Sequence, residues 1–215
     1  SLVKNDPDRW RIVFILAAGL ARKHQPGNAI SSVGRLCPVS VSEAGSPDAA
    51  LFNLADIAAK ALLEIGLMEI ERDDEGVVLL ERIRKWLLAA IEADSVLEPK
   101  QRVHSGNLLS KLGDPRFNPD LFYLPNDDDL GFIEIPEGEF LMGSDKSKDV
   151  HAENDELPQH TVYLPKFWMN KFPVTVAQFR AFVEASWHLP NDEGSLRGFD
   201  NHPVVWISWY EALAF

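Results

Sequence analysis

The sequence predicts an α+β protein, with helices in its first half and short strands in its second. The 215 residues are 46% hydrophobic and 25% charged, which are ordinary values for a globular chain. Apolar residues recur at helical spacing up to about residue 113, whereas beyond residue 130 they form short runs separated by proline and glycine turns. The net charge of −12 lies almost entirely in residues 117–215, which contain 17 acidic and 6 basic residues. That half would repel a nucleic-acid backbone.

Helical spacing predicts five helices in the first half, over residues 9–23, 29–36, 49–65, 77–93 and 99–113. Asp8 and Asp48 are candidate N-caps, and Gly66 is a candidate helix end. We expect the first helix to bury a wide apolar face formed by Trp10, Val13, Phe14, Leu16, Ala17 and Leu20. Trp10 and Trp86 are expected in the core. The paired helices are typical of an adaptor or a helical repeat, although no repeat period is evident.

A seam rich in proline and acidic residues follows at residues 114–129. Its triplet at 127–129 lacks the alternating ligands, turn glycine and closing glutamate of a calcium loop, so we interpret it as solvated. The sequence therefore predicts a helical adaptor or repeat-like domain over residues 1–116, a linker over 117–130 and a second domain over 131–215.

The second domain is expected to begin with a hairpin, formed by strands at residues 132–135 and 140–142 around a turn at 136–138. Further strands are predicted at residues 161–164, 167–172 and 204–207. Helices are predicted to start at Thr175 and after the cap Ser208. Because the last helix stops after barely two turns on the apolar residues 213–215, we expect this domain to be incomplete.

Cys37 is the only cysteine, so an internal disulfide and a thiolate zinc cluster are excluded for these 215 residues. We interpret Cys37 as a small buried hydrophobic residue. This cysteine usage fits the reducing cytoplasm. The sequence contains neither an apolar run long enough to span a bilayer nor a glycine-rich nucleotide loop.

The second half resembles the formylglycine-generating enzyme family, also called the sulfatase-modifying-factor family. Four segments carry the resemblance in order, the first of them reading FIEIPEGEFLMGS: residues 132–144, 155–164, 167–183 and 200–215. The resemblance implies an irregular, C-type-lectin-like fold, of which residues 131–215 would be the N-terminal part.

In enzymes of this family, a cysteine pair binds copper and performs the oxidation. The family's cysteine pair and calcium sites lie further along than Phe215. The resemblance therefore assigns no catalytic, cofactor-binding or metal-ligating residue to this chain, and copper or calcium is expected only with an enzyme-like continuation.

The helical half, through residues 62–67 and 111–116, resembles the region that precedes such domains in bacterial signalling proteins with NACHT-type, TIR or caspase-like domains. This resemblance implies a cytoplasmic, non-catalytic sensor region in signalling or defence. It would bind a protein or peptide ligand and act on an effector domain of the same protein, without contacting nucleic acid or membrane. The alternative is the N-terminal portion of an oxidase that converts a substrate cysteine to formylglycine. Paired cysteines after Phe215 would distinguish the two.

Three groups of polar residues are weak candidates for chemistry. His202 could be a metal ligand or a proton shuttle, but a single histidine makes a poor metal site, so we favour a structural turn. A cation could bind among His151, Glu153, Asp155, Glu156 and His160, but a solvated loop is the preferred interpretation. Ser144 and Ser208 lack the neighbours of a hydrolase nucleophile.

The aromatic residues Trp168, Trp206, Trp209 and Tyr210 could line a binding surface, although we expect most of them in the core. The last helix is the exception. We expect it to expose Trp209, Leu213 or Phe215 unless something else covers them.

Overall fold

The computed structural model describes residues 2–215. Eight α helices make up the part that we call the helical region, residues 2–112. They are α1 (Leu2–Asn5), α2 (Pro7–Ala21), α3 (Pro26–Leu36), α4 (Val41–Ala44), α5 (Ala49–Ile65), α6 (Leu67–Ile70), α7 (Asp74–Glu92) and α8 (Pro99–Leu112).

Capping residues set most of the helix boundaries. The predicted bounds of α5 are confirmed: the Asp48 side chain accepts a hydrogen bond from Leu51 N at 2.9 Å, and Gly66 ends the helix with φ of 93°. Helix α2 is capped by Asp6 rather than the predicted Asp8. Helix α3 begins at Pro26, three residues before the predicted start at residue 29, because proline is well suited to a first helical turn.

The helical region is organised around one apolar core. Trp86, which is fully buried, contacts Phe52 edge-to-face at 5.5 Å between ring centroids, and its Nε1 donates to Val39 O at 2.8 Å. The core position predicted for Trp86 is confirmed, whereas Trp10 is only half-buried. Large buried residues from α3, α5, α7 and α8 complete this core: Ile30, Leu62, Ile65, Ile83, Leu87, Leu109 and Leu112.

The wide buried face predicted for α2 is wrong. Of the predicted residues, only Trp10 and Phe14 are partly buried, while the other four are exposed: Val13, Leu16, Ala17 and Leu20. The buried side of α2 contains Ala18, which packs into the core. The next residue, Gly19, lies where α2 comes close to α5. A Cβ added at Gly19 would lie 3.1 Å from Glu64 Cβ. Helix α2 packs against α1, α3 and α5, but these contacts cover only one stripe of the helix and leave its other apolar residues exposed.

The part that we call the second region, residues 117–215, contains six short strands and two α helices. The strands are β1 (Phe117–Asn118), β2 (Leu124–Pro125), β3 (Phe132–Ile135), β4 (Gly138–Met142), β5 (His160–Leu164) and β6 (Phe167–Asn170). The helices are α9 (Val176–Ser186) and α10 (Trp209–Ala214). The chain is thus α+β.

All strand pairs in the described residues are antiparallel and two-stranded: β1 with β2, β3 with β6, and β4 with β5. Phe132 lies opposite Asn170, and Gly138 lies opposite Leu164. The predicted hairpin of β3 with β4 is therefore wrong. Because β4 begins at Gly138, only residues 136 and 137 separate the two strands. A hairpin loop of two residues needs positive φ at its first residue, which Pro136 cannot adopt.

The strand predicted at 204–207 is also absent from the described residues, apart from a single bridge between Thr175 and Pro203. Trp206 has a φ of 61°, which interrupts an extended backbone. The predicted helix start at Thr175 and the predicted cap Ser208 are confirmed, because Thr175 is the N-cap of α9 and Ser208 is the N-cap of α10, each within a capping box.

Beyond residue 112, few apolar side chains are buried. Among the described residues of this part, the buried hydrophobic ones are Ala152, Val176, Ala177 and Phe179. The second region therefore packs around the start of α9 and leaves much of its apolar surface exposed. No helix in residues 2–215 has the length and apolar character required to cross a bilayer.

Candidate functional site at the junction of the two regions

A loop of the second region is anchored on α8 by side-chain hydrogen bonds. We call residues 199–203 the junction loop. Asn201 Nδ2 donates to Gly106 O at 3.0 Å and to Asp114 Oδ2 at 2.9 Å. His202 Nε2 donates to Asn107 Oδ1 at 2.6 Å. These contacts join residues almost a hundred positions apart and fix the second region against the helical region.

The backbone of the same loop holds the start of α9. Val176 N donates to His202 O at 2.9 Å, and Ala177 N donates to Asp200 O at 3.1 Å. Further along α9, Arg180 Nη1 donates to Asp200 Oδ1 at 2.8 Å. This geometry supports the structural interpretation of His202, since its backbone and its ring both serve the junction.

Asp114 is the most heavily bonded carboxylate of the junction. Its side chain is 5% exposed and accepts hydrogen bonds from Arg116 Nε, Arg116 Nη2 and Asn201 Nδ2. Burial alone would raise the pKa of Asp114, but the hydrogen bonds from Arg116 and Asn201 outweigh it and hold the pKa below its ordinary value. Asp114 is therefore a charged anchor of the junction.

A cavity of about 200 Å³ lies between these elements. The end of α8 and the segment after it form one wall, and the start of α9 with the junction loop forms the other. Phe117 and Tyr123 contribute aromatic surface, whereas Asp200 and Asn201 contribute polar groups. Sequence reasoning missed this site, because no local pattern shows that these segments meet.

A second polar cluster lies around Glu211, which is 2% exposed. Its carboxylate accepts from Ser208 Oγ at 2.7 Å, from Ser208 N at 2.9 Å and from Asn191 N at 2.9 Å. The Ser208 hydroxyl, followed by the Asn191 and Ser208 backbone N–H groups, lowers the pKa of Glu211 to about 2. This cluster ties the loop before α10 to the helix itself.

The cation site considered for residues 151–160 is spread over exposed positions. Glu156 Oε2 accepts from Ser144 Oγ at 2.7 Å, and His160 Nδ1 contacts Pro158 O at 2.9 Å. All five candidate ligands are exposed: His151, Glu153, Asp155, Glu156 and His160. Within residues 2–215, no group of three or more acidic, histidine or cysteine side chains is arranged to hold a metal ion.

The expectation that most of the candidate aromatic residues lie in the core is wrong. Trp168 is 51% exposed, and Trp206, Trp209 and Tyr210 are each at least 70% exposed. The rings of Trp209 and Tyr210 contact each other at 5.3 Å between centroids. As expected for the last helix, Leu213 and Phe215 are exposed as well. Short, two-stranded sheets and a two-turn helix offer too little opposing surface to bury them.

Cys37 does not fit a copper site. Its side chain is buried in the core of the helical region, and burial raises the pKa of its thiol to about 11, against a smaller opposing effect of Arg82. Copper binding requires accessible thiolate ligands, and Cys37 is the only cysteine in the chain. The interpretation of Cys37 as a small buried hydrophobic residue is confirmed.

Comparison with known proteins gives a family for the second region. The sulfatase-modifying factor enzyme 1-like domain matches residues 124–215. An uncharacterized protein of Bacillus subtilis, YfmG, is 32% identical over 104 residues, which cover 40% of this chain and 21% of that protein. The formylglycine-generating enzyme of Streptomyces coelicolor is 27% identical over 129 residues, covering 40% of this chain and 41% of the enzyme.

A third relative is named as a protein kinase. The serine/threonine-protein kinase Pkn1 of Chlamydia trachomatis is 31% identical over 102 residues, which cover 39% of this chain and 16% of the kinase. The chain thus matches less than half the length of each of these three relatives. Residues 124–215 of this chain form a domain of the sulfatase-modifying factor family.

Proposed function

We propose that the chain is a non-catalytic recognition region of a larger bacterial signalling or defence protein, in which the second region binds a protein or peptide ligand. The exposed aromatic surface of α10 carries this proposal. Trp209 and Tyr210 are 70% and 76% exposed and contact each other. Exposed aromatic side chains are enriched at protein interfaces, because they bury a large area with little loss of conformational freedom.

The junction supports a role in transmission. A ligand on the second region would act on α8 through Asn201 and His202, which bond Gly106, Asp114 and Asn107. We propose that the helical region connects this event to an effector domain of the same protein. The similarity to a segment of a protein named as a kinase is consistent with such an arrangement.

Several finer features belong to the same proposal. The second region would have a C-type-lectin-like fold, and the chain would act in the cytoplasm without a cofactor of its own. Nucleic acid is not a proposed partner, because residues 117–215 contain 17 acidic and 6 basic residues. A membrane is not proposed as a partner either.

A second candidate function is an oxidase that converts cysteine to formylglycine. It is favoured by the relatives named formylglycine-generating enzyme in Streptomyces coelicolor and Thermomonospora curvata, both 27% identical. In that case residues 124–215 would contribute scaffold, because they contain no cysteine, and Cys37, which lies outside them, is buried and has a thiol of raised pKa.

One experiment separates the two candidates. The protein that contains this chain is loaded with Cu(I) and incubated with a cysteine-containing peptide, and the peptide is analysed by mass spectrometry. We expect the cysteine to remain unmodified. Conversion to formylglycine would overturn the recognition proposal in favour of the oxidase.

A binding measurement provides the positive test. The same protein is applied to an array of short peptides of varied charge, and basic peptides are expected to be retained, since the second region is acidic. Trp209→Ala should weaken retention, whereas Leu16→Ala, an exposed position on α2, should not. Absence of retention, or equal effects of both variants, would contradict the proposal.

A further inference from the structure

We propose that the cavity at the junction binds a small organic cation, namely the guanidinium or alkylammonium group of an arginine or lysine side chain. The cavity has a volume of about 200 Å³ and is lined by residues of α7, α8, the segment after α8, α9 and the junction loop. This volume is below the range of about 300–1,000 Å³ that is typical for drug-sized ligands. It suits the end of one side chain. The proposal does not depend on the role proposed for the whole protein.

The first reason is that a buried oxygen atom, Oδ1 of Asn201, receives no hydrogen bond from the described residues. Asn201 Nδ2 donates to Gly106 O and to Asp114 Oδ2, and both of these partners are acceptors. The orientation of the amide is therefore fixed, because a flipped amide would place its oxygen against two acceptors. Asn201 Oδ1 is then buried and receives no hydrogen bond from the described residues. Leaving such an acceptor unpaired costs about 1–3 kcal/mol. Because Oδ1 is buried, a donor on a ligand would offset this cost after a small movement of the Asn201 side chain.

The second reason is the charge that remains open in the lining. Asp200 is half exposed, and the hydrogen bond from Arg180 occupies only its Oδ1. Oδ2 of Asp200 can therefore accept a hydrogen bond from a ligand. Asn201 and Asp200 together present an amide oxygen and a carboxylate oxygen, which is the arrangement that a guanidinium or ammonium group recognises.

The third reason is that the other charged groups of the lining are already paired. Arg84 donates from Nε to Leu112 O at 2.9 Å and also pairs with Glu81, so its guanidinium donors are occupied. Asp114 is bonded by Arg116 and Asn201. Of the charged groups in the lining, Asp200 therefore keeps a carboxylate oxygen without a hydrogen bond among the described residues, which favours a cationic donor as the ligand.

The aromatic side chains complete the site. Phe117 and Tyr123 line the cavity. The guanidinium of Arg116 already lies over the Phe117 ring, 5.6 Å from its centroid. Aromatic faces attract cations and also accept the methylene groups of an arginine or lysine side chain.

The test compares two probes of almost identical shape. Calorimetric titration of the 215-residue chain is carried out with Nα-acetyl-arginine amide and with Nα-acetyl-citrulline amide, in which an uncharged urea group replaces the guanidinium. We expect saturable binding of the arginine probe and about tenfold weaker binding of the citrulline probe, because charge-assisted hydrogen bonds are roughly twice as strong as neutral ones. Equal affinities, or no binding of either probe, would overturn the proposal.

Two variants locate the binding. Ser110→Leu fills the cavity from α8 and should abolish binding of the arginine probe, whereas Ser32→Leu, at an exposed position on α3, should leave it unchanged. Asp200→Asn should weaken binding of the arginine probe about tenfold and leave binding of the citrulline probe unchanged. Thermal unfolding shows whether each variant is folded. If Ser110→Leu does not fold, Asp200→Asn alone tests whether the arginine probe binds in the cavity. An unchanged affinity of Asp200→Asn for this probe would overturn the proposal.

Discussion

The two regions of this chain stabilise themselves in different ways. In the helical region, stripes from four helices face one another and bury Trp86 completely. In the second region, Trp209 is 70% exposed, and Phe179 is the one large hydrophobic side chain that is fully buried among the described residues of that region. A helix needs one partner to bury a stripe, whereas a two-stranded sheet has two faces and an open edge on each side. Similar but unequal shares of apolar residues, 54 of 111 in residues 2–112 and 44 of 99 in residues 117–215, therefore give a closed core in one region and an exposed surface in the other.

The second region relies more on polar anchors. The Glu211 carboxylate bonds Ser208 and Asn191, and Gln178 Nε2 donates to Tyr123 O at 3.0 Å. Buried, satisfied hydrogen bonds fix geometry, although each contributes only about 0.5–1.5 kcal/mol to stability. The comparison thus predicts where substitutions should be costly and where they should not.

The largest expected effect is a difference in stability between the same substitution at two tryptophans, Trp86 and Trp209. Trp86→Ala should lower the free energy of unfolding by about 3–5 kcal/mol, because it removes a fully buried ring in contact with Phe52. Trp209→Ala, the same substitution at an exposed site, should change it by no more than about 0.5 kcal/mol. Urea denaturation followed by circular dichroism measures both. Similar losses of unfolding free energy for the two variants would contradict the proposed difference between the two regions.

The next effect depends on pH. The pKa of Glu211 is about 2 in the folded protein, below its ordinary value of 4.5, so its contribution to stability is present above pH 4.5 and is lost as the pH falls towards 2. Glu211→Gln should therefore destabilise the second region at neutral pH and remove that part of the pH dependence.

The measurement is a series of urea unfolding midpoints between pH 2 and pH 5, the window that these two pKa values define. Glu193→Gln is the matched control, because the Glu193 side chain is 84% exposed. If the unfolding midpoint of Glu211→Gln changes with pH as steeply as that of the unsubstituted chain, Glu211 does not anchor α10.

A smaller effect is expected where the regions meet. His202→Ala and Asn107→Ala each remove one side of the 2.6 Å hydrogen bond that joins the junction loop to α8. A double-mutant cycle should give a coupling energy of about 0.5–1.5 kcal/mol from unfolding midpoints. His24→Ala combined with Asn107→Ala serves as the control, since His24 lies in the turn after α2. Zero coupling for the first pair would mean that this contact does not join the regions.

The sequence was sufficient where structure is locally determined. Asp48 and Gly66 bracket α5 as predicted, because a cap and a helix end are properties of a few neighbouring residues. The family of the second region was also recognisable, from four ordered segments. Pairing was not predictable in the same way: β3 and β4 are adjacent in the chain but pair with β6 and β5. The junction was missed for the same reason, since Asn201 and Gly106 are 95 residues apart.

The smallest expected effect shows that exposure, rather than the region, decides the cost. Leu16 lies in the helical region but is 57% exposed on α2, beside the similarly exposed Ile12 and Leu20. Leu16→Lys should change the free energy of unfolding by no more than about 0.5 kcal/mol, because lysine and leucine have similar helix propensities and an exposed ammonium stays hydrated. Ala18→Lys, two positions along on the buried stripe, should cost more than about 2 kcal/mol, because the cation would enter the packed contact with α5. Urea denaturation compares the pair. A large loss for Leu16→Lys would mean that this stripe of α2 is covered in solution, and the contrast between the two regions would then be incomplete.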